Sequence, residues 1–252
     1  MVNKKELSEL IETHTPLAIK KRLDNGPGNS YLKDFIYGSI DGIITTFAIV
    51  SGVIGAELSS GVIIILGLAN LLADGFSMGI SNYLGTKSEN EIVEKAKAEE
   101  LNHIEHYPEG EKEEIRQIFA RKGFVGDELE NAVETITSDV NRWVDTMLQD
   151  ELGYSLNNKS AIKSGLATFI AFILIGFIPL ASFVINWLTP GLIEKPFLVS
   201  SVFTGVAFFL VGAYKTKFVG KSWYVNGLET LLIGGIAAII AYYIGSLLKT
   251  LV

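Results

Sequence analysis

Five long apolar stretches dominate this chain: 35–57, 61–84, 161–188, 196–214 and 223–248. A bilayer core about 30 Å thick is crossed by about 20 apolar residues rising 1.5 Å each. Each stretch is therefore read as a transmembrane span, and the expected fold is an all-α membrane protein with five transmembrane helices. The first span follows a polar, Lys-rich segment, 1–34, so none is read as a signal peptide. A mean hydropathy of +0.34 fits this reading, as does a charged fraction of 19%, against about 25% in an ordinary soluble domain. The apolar content excludes disorder. The absence of cysteine excludes a disulfide scaffold, thiol catalysis and Cys-ligated zinc or iron–sulfur sites. A net charge of -7 excludes a nucleic-acid binder.

Orientation follows from Lys and Arg near the spans. Segment 1–34 carries six: Lys4, Lys5, Lys20, Lys21, Arg22 and Lys33. Segment 85–160 carries nine and 215–222 three, whereas 58–60 has none and 189–195 only Lys195. The N-terminal segment (1–34) and the long insertion (85–160) are therefore expected in the cytosol. Spans one and two occupy 35–84, and spans three to five occupy 161–252. Residues 3–24 have the pattern of an amphipathic helix on the membrane surface, with Leu7, Leu10 and Ile11 on its apolar side.

The insertion is acidic and helical by pattern, broken at Pro108, Gly123 and Gly126, with helices expected over 88–106, 109–121, 127–137 and 138–152. It holds fourteen Glu and four Asp against nine Lys and Arg, a balance of -9 in a chain of -7, so the remainder is weakly positive. A negative region raises the local cation concentration. Glu100, His103 and His106 form E-x-x-H-x-x-H on one helix face. Glu111 and Glu114 form E-x-x-E on the next helix, and Met147 and Glu151 lie four apart on a third. Carboxylate and imidazole groups on facing helices are how bundles hold iron or manganese. The alternative is that the histidines pack between helices and Met147 fills a core gap.

Within the spans, an ionisable group costs at least ~2.5 kcal/mol at the centre of a lipid-exposed helix. Asp41 lies in span one, Asp74 in span two and Glu229 in span five. Asn70, Asp74, Ser77, Met78 and Ser81 form a polar stripe about 100° wide on span two. Asp41, Met78 and Glu229 fall at a similar depth near the cytosolic third, with Asp74 one turn deeper. A carboxylate beside a thioether suits a borderline transition metal better than Na⁺ or K⁺. Glu229 could instead pair with Lys215, Lys217 or Lys221, with Asn226 and Thr230 on its face. Gly38-x-x-x-Gly42 and Gly75-x-x-x-Gly79 bracket these positions and let helix backbones approach closely.

The segments D-G-I-I-T-T-F-A-I-V-S-G (41–52), L-A-D-G-F-S-M-G-I-S-N-Y-L (72–84) and K-S-E (87–89) resemble the vacuolar iron transporter family. The five-span layout with a Glu-rich insertion after span two matches as well. The resemblance implies export of cytosolic Fe²⁺, often with Mn²⁺, in exchange for protons, by a homodimer whose pathway lies at or near the subunit interface. It implies that Asp41 and Met78 are the transmembrane pathway residues, and that Glu100, Glu111, Glu114, Met147 and Glu151 bind metal in the insertion. This chain departs from the family pattern twice. His103 stands where plant-type members have a second Glu, and Asn70 stands where they have a Glu. Imidazole still ligates, more softly. Asn70 cannot carry a proton, so Asp74 would have to supply the carboxylate on that helix.

The expectation is therefore a transporter and not an enzyme, with Fe²⁺ bound and carried and Mn²⁺, Co²⁺ and Zn²⁺ as further candidates. Its other partners would be protons, membrane lipid and a second copy of the chain. A prokaryotic plasma membrane is favoured over a vacuolar one because no long N-terminal extension is present. Two alternatives remain open at this stage: a membrane-tethered di-iron ferroxidase, for which one E-x-x-H copy is few, and a metal-sensing membrane protein.

Overall fold

The computed structural model describes residues 3–25, 30–217, 220 and 222–251, and no strand occurs among them. The helices are α1 (Lys4–Thr13), α2 (Pro16–Asn25), α3 (Leu32–Gly55), α4 (Ser60–His106), α5 (Pro108–Arg121), α6 (Gly126–Thr137), α7 (Val140–Thr146), α8 (Ala161–Gly176), α9 (Ile178–Leu188), α10 (Pro196–Tyr214) and α11 (Trp223–Leu248). A π-helical turn, Met147–Glu151, follows α7. Two compact units result: residues 1–30 with 89–159, and residues 31–88 with 160–252.

In the second unit, α3 is the most enclosed of the apolar helices, with half of its apolar window buried. Glycine lets its backbone touch its neighbours directly. A Cβ on Gly38 would lie 2.3 Å from the Thr168 carbonyl oxygen, and one on Gly42 2.6 Å from that of Phe172. On the other side, a Cβ on Gly55 would lie 2.1 Å from the Tyr242 oxygen, and one on Gly245 2.0 Å from that of Gly52. Where lipid is the solvent, such close contact replaces the hydrophobic effect as the force joining helices. Around it lie Val50, Val53, Ile63, Leu71, Phe172, Leu180 and Phe183, and a second cluster of Ile43, Ala207 and Phe208.

Four helices, α3, α4, α10 with its 3₁₀ extension, and α11 with its own, are long and apolar enough to cross a membrane. The stretch 161–188, expected as one continuous span, is instead bent by 53° between α8 and α9. Pro179 explains the bend, because it has no N–H for the Ile175 carbonyl and its ring clashes there. The Ser200 hydroxyl of α10 donates to the Pro179 carbonyl at 2.6 Å, tying the break to α10. The outward faces of α10 and α11, including Val202, Phe203, Ile236 and Ile240, are exposed apolar surface of the kind that lipid covers.

The expected break at 85–87 is absent. Span two and the first helix of the insertion are one 47-residue helix, α4, about 70 Å long at 1.5 Å per residue. Its apolar first half matches a bilayer of about 30 Å, and its charged second half does not.

In the first unit, Ile115, Ile118, Val133, Trp143 and Met147 form one core cluster, and Ala96, Val144 and Leu148 another. Pro108 opens α5 at its first turn. Asp139 caps α7 by accepting from the Arg142 N–H at 2.9 Å. The expected helix over 138–152 thus divides into α7 and the π turn, which the Leu152 N–H closes on the Met147 carbonyl at 3.1 Å. Arg116 joins α5 to α6 through Glu130, with Glu113 of its own helix as a second partner, and Lys122 of α5's C-cap reaches Asp150.

Replacing Gly42 by Ala should destabilise the protein, by roughly the ~1–3 kcal/mol of an overpacked contact. Gly85, where an added Cβ meets nothing within 4 Å, should accept Ala with no loss. Thermal unfolding in detergent of Gly42→Ala and Gly85→Ala checks the contrast.

Candidate metal centre

Glu100 and His103, three apart on α4, share a face. A single residue, Tyr107, separates α4 from α5, and the reversal there brings Glu111 back over them. The three side chains offer ligand atoms all within 4.8 Å of one another. His103 Nδ1 lies 3.4 Å from Glu111 Oε1. Glu100 and Glu111 are each only 6% exposed, and Oε2 of each is buried without a hydrogen-bond donor.

Two buried carboxyls this close resist double ionisation. Burial, then the charges of Glu114 and Glu100, push the Glu111 carboxyl up to about 7, with His103 opposing. Burial also raises Glu100, while Glu111 and His103 act the other way. Both carboxyls are therefore easier to protonate than a free acid. Glu151 is raised by burial and by the charges of Glu114 and Glu100, so these two acids stand within electrostatic reach of the trio. A divalent cation would displace the proton and supply the missing partners. Two carboxylates and one imidazole form a donor set suited to iron, manganese or zinc, with coordination positions left open.

Met147 is fully buried in the apolar cluster with Ile115 and Trp143. His106 is exposed, with Nδ1 2.8 Å from the Asn102 carbonyl oxygen.

Among the membrane-span residues, Asp41 is half-buried on α3 and lies close enough to Asp74 for their charges to interact. The Thr45 hydroxyl donates to the Asp41 carbonyl at 2.9 Å. Met78 is partly buried against the cluster of Leu71 and Phe172. Asn70 is half-buried, and its Nδ2 has no acceptor. Glu229 is exposed, and no ion pair joins it to Lys215 or Lys217 among the described residues; Lys221 lies outside them. Asn226, about 60° from it on the helix, and Thr230 are buried where Glu229 is not. They are 1% and 4% exposed, and Asn226 donates to the Thr216 hydroxyl at 3.0 Å. Spaced four apart, they define the packed side of α11, and Glu229 is turned about 100° from Thr230.

The structure adds two residues that the sequence reading passed over, Asp34 and Asn82. The Asn82 amide lies 3.1 Å from Asp34 Oδ1, 2.7 Å from the Thr168 hydroxyl and 3.2 Å from the Ser164 carbonyl oxygen, and so ties α4 to α3 and α8. Their signal was positional. Asp34 stands seven residues before Asp41, and Asn82 stands four after Met78, each on the same face as its partner.

Apolar helices of spanning length and a donor set fit for a cation define a helical multi-pass membrane protein equipped to handle metal ions. The family model described as the VIT family matches residues 32–246. The chain is 37% identical over 231 residues to a vacuolar iron transporter of Toxoplasma gondii, covering 89% of this chain and 76% of that protein. It is 33% identical over 251 residues to one of Plasmodium berghei, covering 97% and 92%. It is 32% identical over 219 residues to vacuolar iron transporter 1 of Arabidopsis thaliana, covering 86% of each. The chain belongs to the VIT family, and membership supports metal-ion transport across a membrane.

The raised Glu111 carboxyl gives a pH signature. Between its ordinary 4.5 and about 7, the folded chain holds a proton that the unfolded chain releases. Its stabilising contribution is full at acid pH and is lost as pH rises through about 7. The chelator-treated protein should therefore lose thermal stability from pH 5.5 to 8, less so in Glu111→Gln, and Mn²⁺ affinity should rise over the same interval because binding expels the proton.

Proposed function

We propose that the chain exports Fe²⁺, and Mn²⁺ through the same donors, from the cytosol in exchange for protons. The observation that carries this reading is the convergence of Glu100, His103 and Glu111 on one point in the acidic segment 85–160, in a chain that also holds Asp41 half-buried on α3. The Lys and Arg distribution supports a cytosolic N-terminus and a cytosolic segment 85–160. Counting the bent pair α8–α9 as one span gives five.

Metal is gathered from the cytosol by the acidic helices. Glu100, His103 and Glu111 form the receiving set, with Glu114 and Glu151 extending the negative field. Met147, four residues before Glu151, is the thioether candidate of the set. The ion then passes to Asp41 of α3 and Met78 of α4, where oxygen and sulfur together favour a transition metal over Na⁺, K⁺ or Ca²⁺. A proton arriving from the far side neutralises the Asp41 carboxylate and releases the ion outward. Asp74, near Asp41, is the second proton carrier, since Asn70 has no charge to exchange. The dimer brings two copies of α3 and α4 together, so that the half-buried polar face of α4 meets protein instead of lipid. His103 shifts the receiving set towards softer cations relative to an all-carboxylate one.

In proteoliposomes with a pH gradient, Asp41→Ala should reduce Fe²⁺ and Mn²⁺ flux to the protein-free background. Glu111→Ala with Glu114→Ala should lower flux without abolishing it. Undiminished flux in the Asp41 variant would overturn the route.

A further inference from the structure

Helices α1 and α2 leave large aliphatic side chains in the open. Leu7, Leu10 and Ile11 are 51%, 46% and 63% exposed, and Leu17 and Leu23 79% and 72%. On α1 the three fall within about 100° of arc, opposite Glu12. On α2, Leu23, Lys20, Leu17 and Lys21 follow one another around about 160° of the helix. Lys20, Lys21 and Arg22 are all exposed, and no ion pair involves them among the described residues. In sequence, α2 has three basic residues against Asp24.

Chain length restricts what can cover this surface. Only residues 26–31 separate Asn25 from Leu32, where α3 begins. At a full extension of about 3.5 Å per residue, Asn25 stays within about 25 Å of the start of that apolar helix. A helix pair leashed so close to a bilayer, with open leucines and a cationic end, has the composition of an interfacial anchor.

We infer that α1 and α2 lie on the cytosolic membrane surface, bound to anionic lipid through Lys20 and Lys21 and to the acyl boundary through Leu7, Leu10, Ile11, Leu17 and Leu23, with Arg22 on the opposite, water-facing side of α2. The inference rests on the membrane orientation proposed above. Each basic residue at an anionic surface multiplies partitioning roughly fivefold, so Lys20 and Lys21 together make the anchor sensitive to lipid charge. The competing occupant is the acidic surface of segment 89–159. It would satisfy the basic trio but does not explain why the aliphatic groups remain uncovered within that same unit.

The absence of native cysteine makes the test direct. Leu10→Cys, Leu17→Cys and, as a water-facing control, Glu12→Cys are spin-labelled in the full-length protein and reconstituted into phosphatidylcholine with or without phosphatidylglycerol. With phosphatidylglycerol, labels at 10 and 17 should become accessible to oxygen and shielded from an aqueous nickel relaxant, while the label at 12 stays wet. Adding Lys20→Gln and Lys21→Gln should return both labels to water, whereas Arg22→Gln alone should leave them shielded. Labels that ignore lipid charge, whether wet or shielded, overturn the inference. Metal flux measured on the same vesicles separates this from failure of the transport reading, because a fluxing protein with wet labels rejects the anchor alone.

Discussion

Direct backbone contact along α3 is the constraint on which the membrane unit depends. Gly38 and Gly42 admit α8 to one side, and Gly52 and Gly55 admit α11 to the other. In hydrocarbon there is no hydrophobic gain from joining two apolar helices, so dispersion at close range must supply it. This contact fixes α3 in rotation as well as position. Because Asp41 lies between Gly38 and Gly42, the rotation that buries the glycines leaves Asp41 half-buried at their edge instead of facing lipid. The packing device and the placement of the charge are therefore one arrangement.

The two units treat charge in opposite ways. The membrane unit carries few ionisable groups, and neutral groups tie several of its helices: the Ser200 hydroxyl at the Pro179 break and the Asn82 amide of α4 on the Thr168 hydroxyl of α8. The first unit concentrates acids and buries two of them, Glu100 and Glu111. Burial raises both carboxyls, so a proton is held there more readily than on a free acid, and an exchangeable proton is what a cation can displace. A cation that displaces it removes the repulsion and satisfies the open oxygens. That is a physical basis for gathering metal near neutral pH and for yielding it when protons are abundant.

Much of this was legible in the sequence, and the misses share a cause. The α11 bounds, 223–248, follow from hydropathy and coincide with the structure, because nothing in that run interrupts a helix. Hydropathy also marks where solvent changes, and at 85–87 that was mistaken for a change of backbone. Lys87, Glu89 and Glu91 are good helix formers, so α4 continues while its surroundings turn polar. At Pro179 the opposite occurs: the apolar run continues while the backbone bends. In the metal cluster, the three-residue spacing put Glu100 and His103 on one face, but only the turn at Tyr107 could bring Glu111 to them. Met147 reads equally as thioether ligand or core residue, and α5 presents Ile115 and Ile118 for it to cover. Asp34 sat at the charged edge of the first span, where an acid looks like ordinary solvation until Asn82 is seen beside it.

The transport account turns on sulfur and oxygen meeting one ion within the membrane. X-ray absorption at the iron edge tests this on Glu100→Gln, Glu111→Gln protein loaded with Fe²⁺ under anaerobic conditions, so that the receiving set is disabled. The account predicts a sulfur scatterer in the iron's first shell that disappears when Met78→Leu is added. A shell of oxygen and nitrogen alone, or a sulfur signal that survives the loss of Met78, would contradict it.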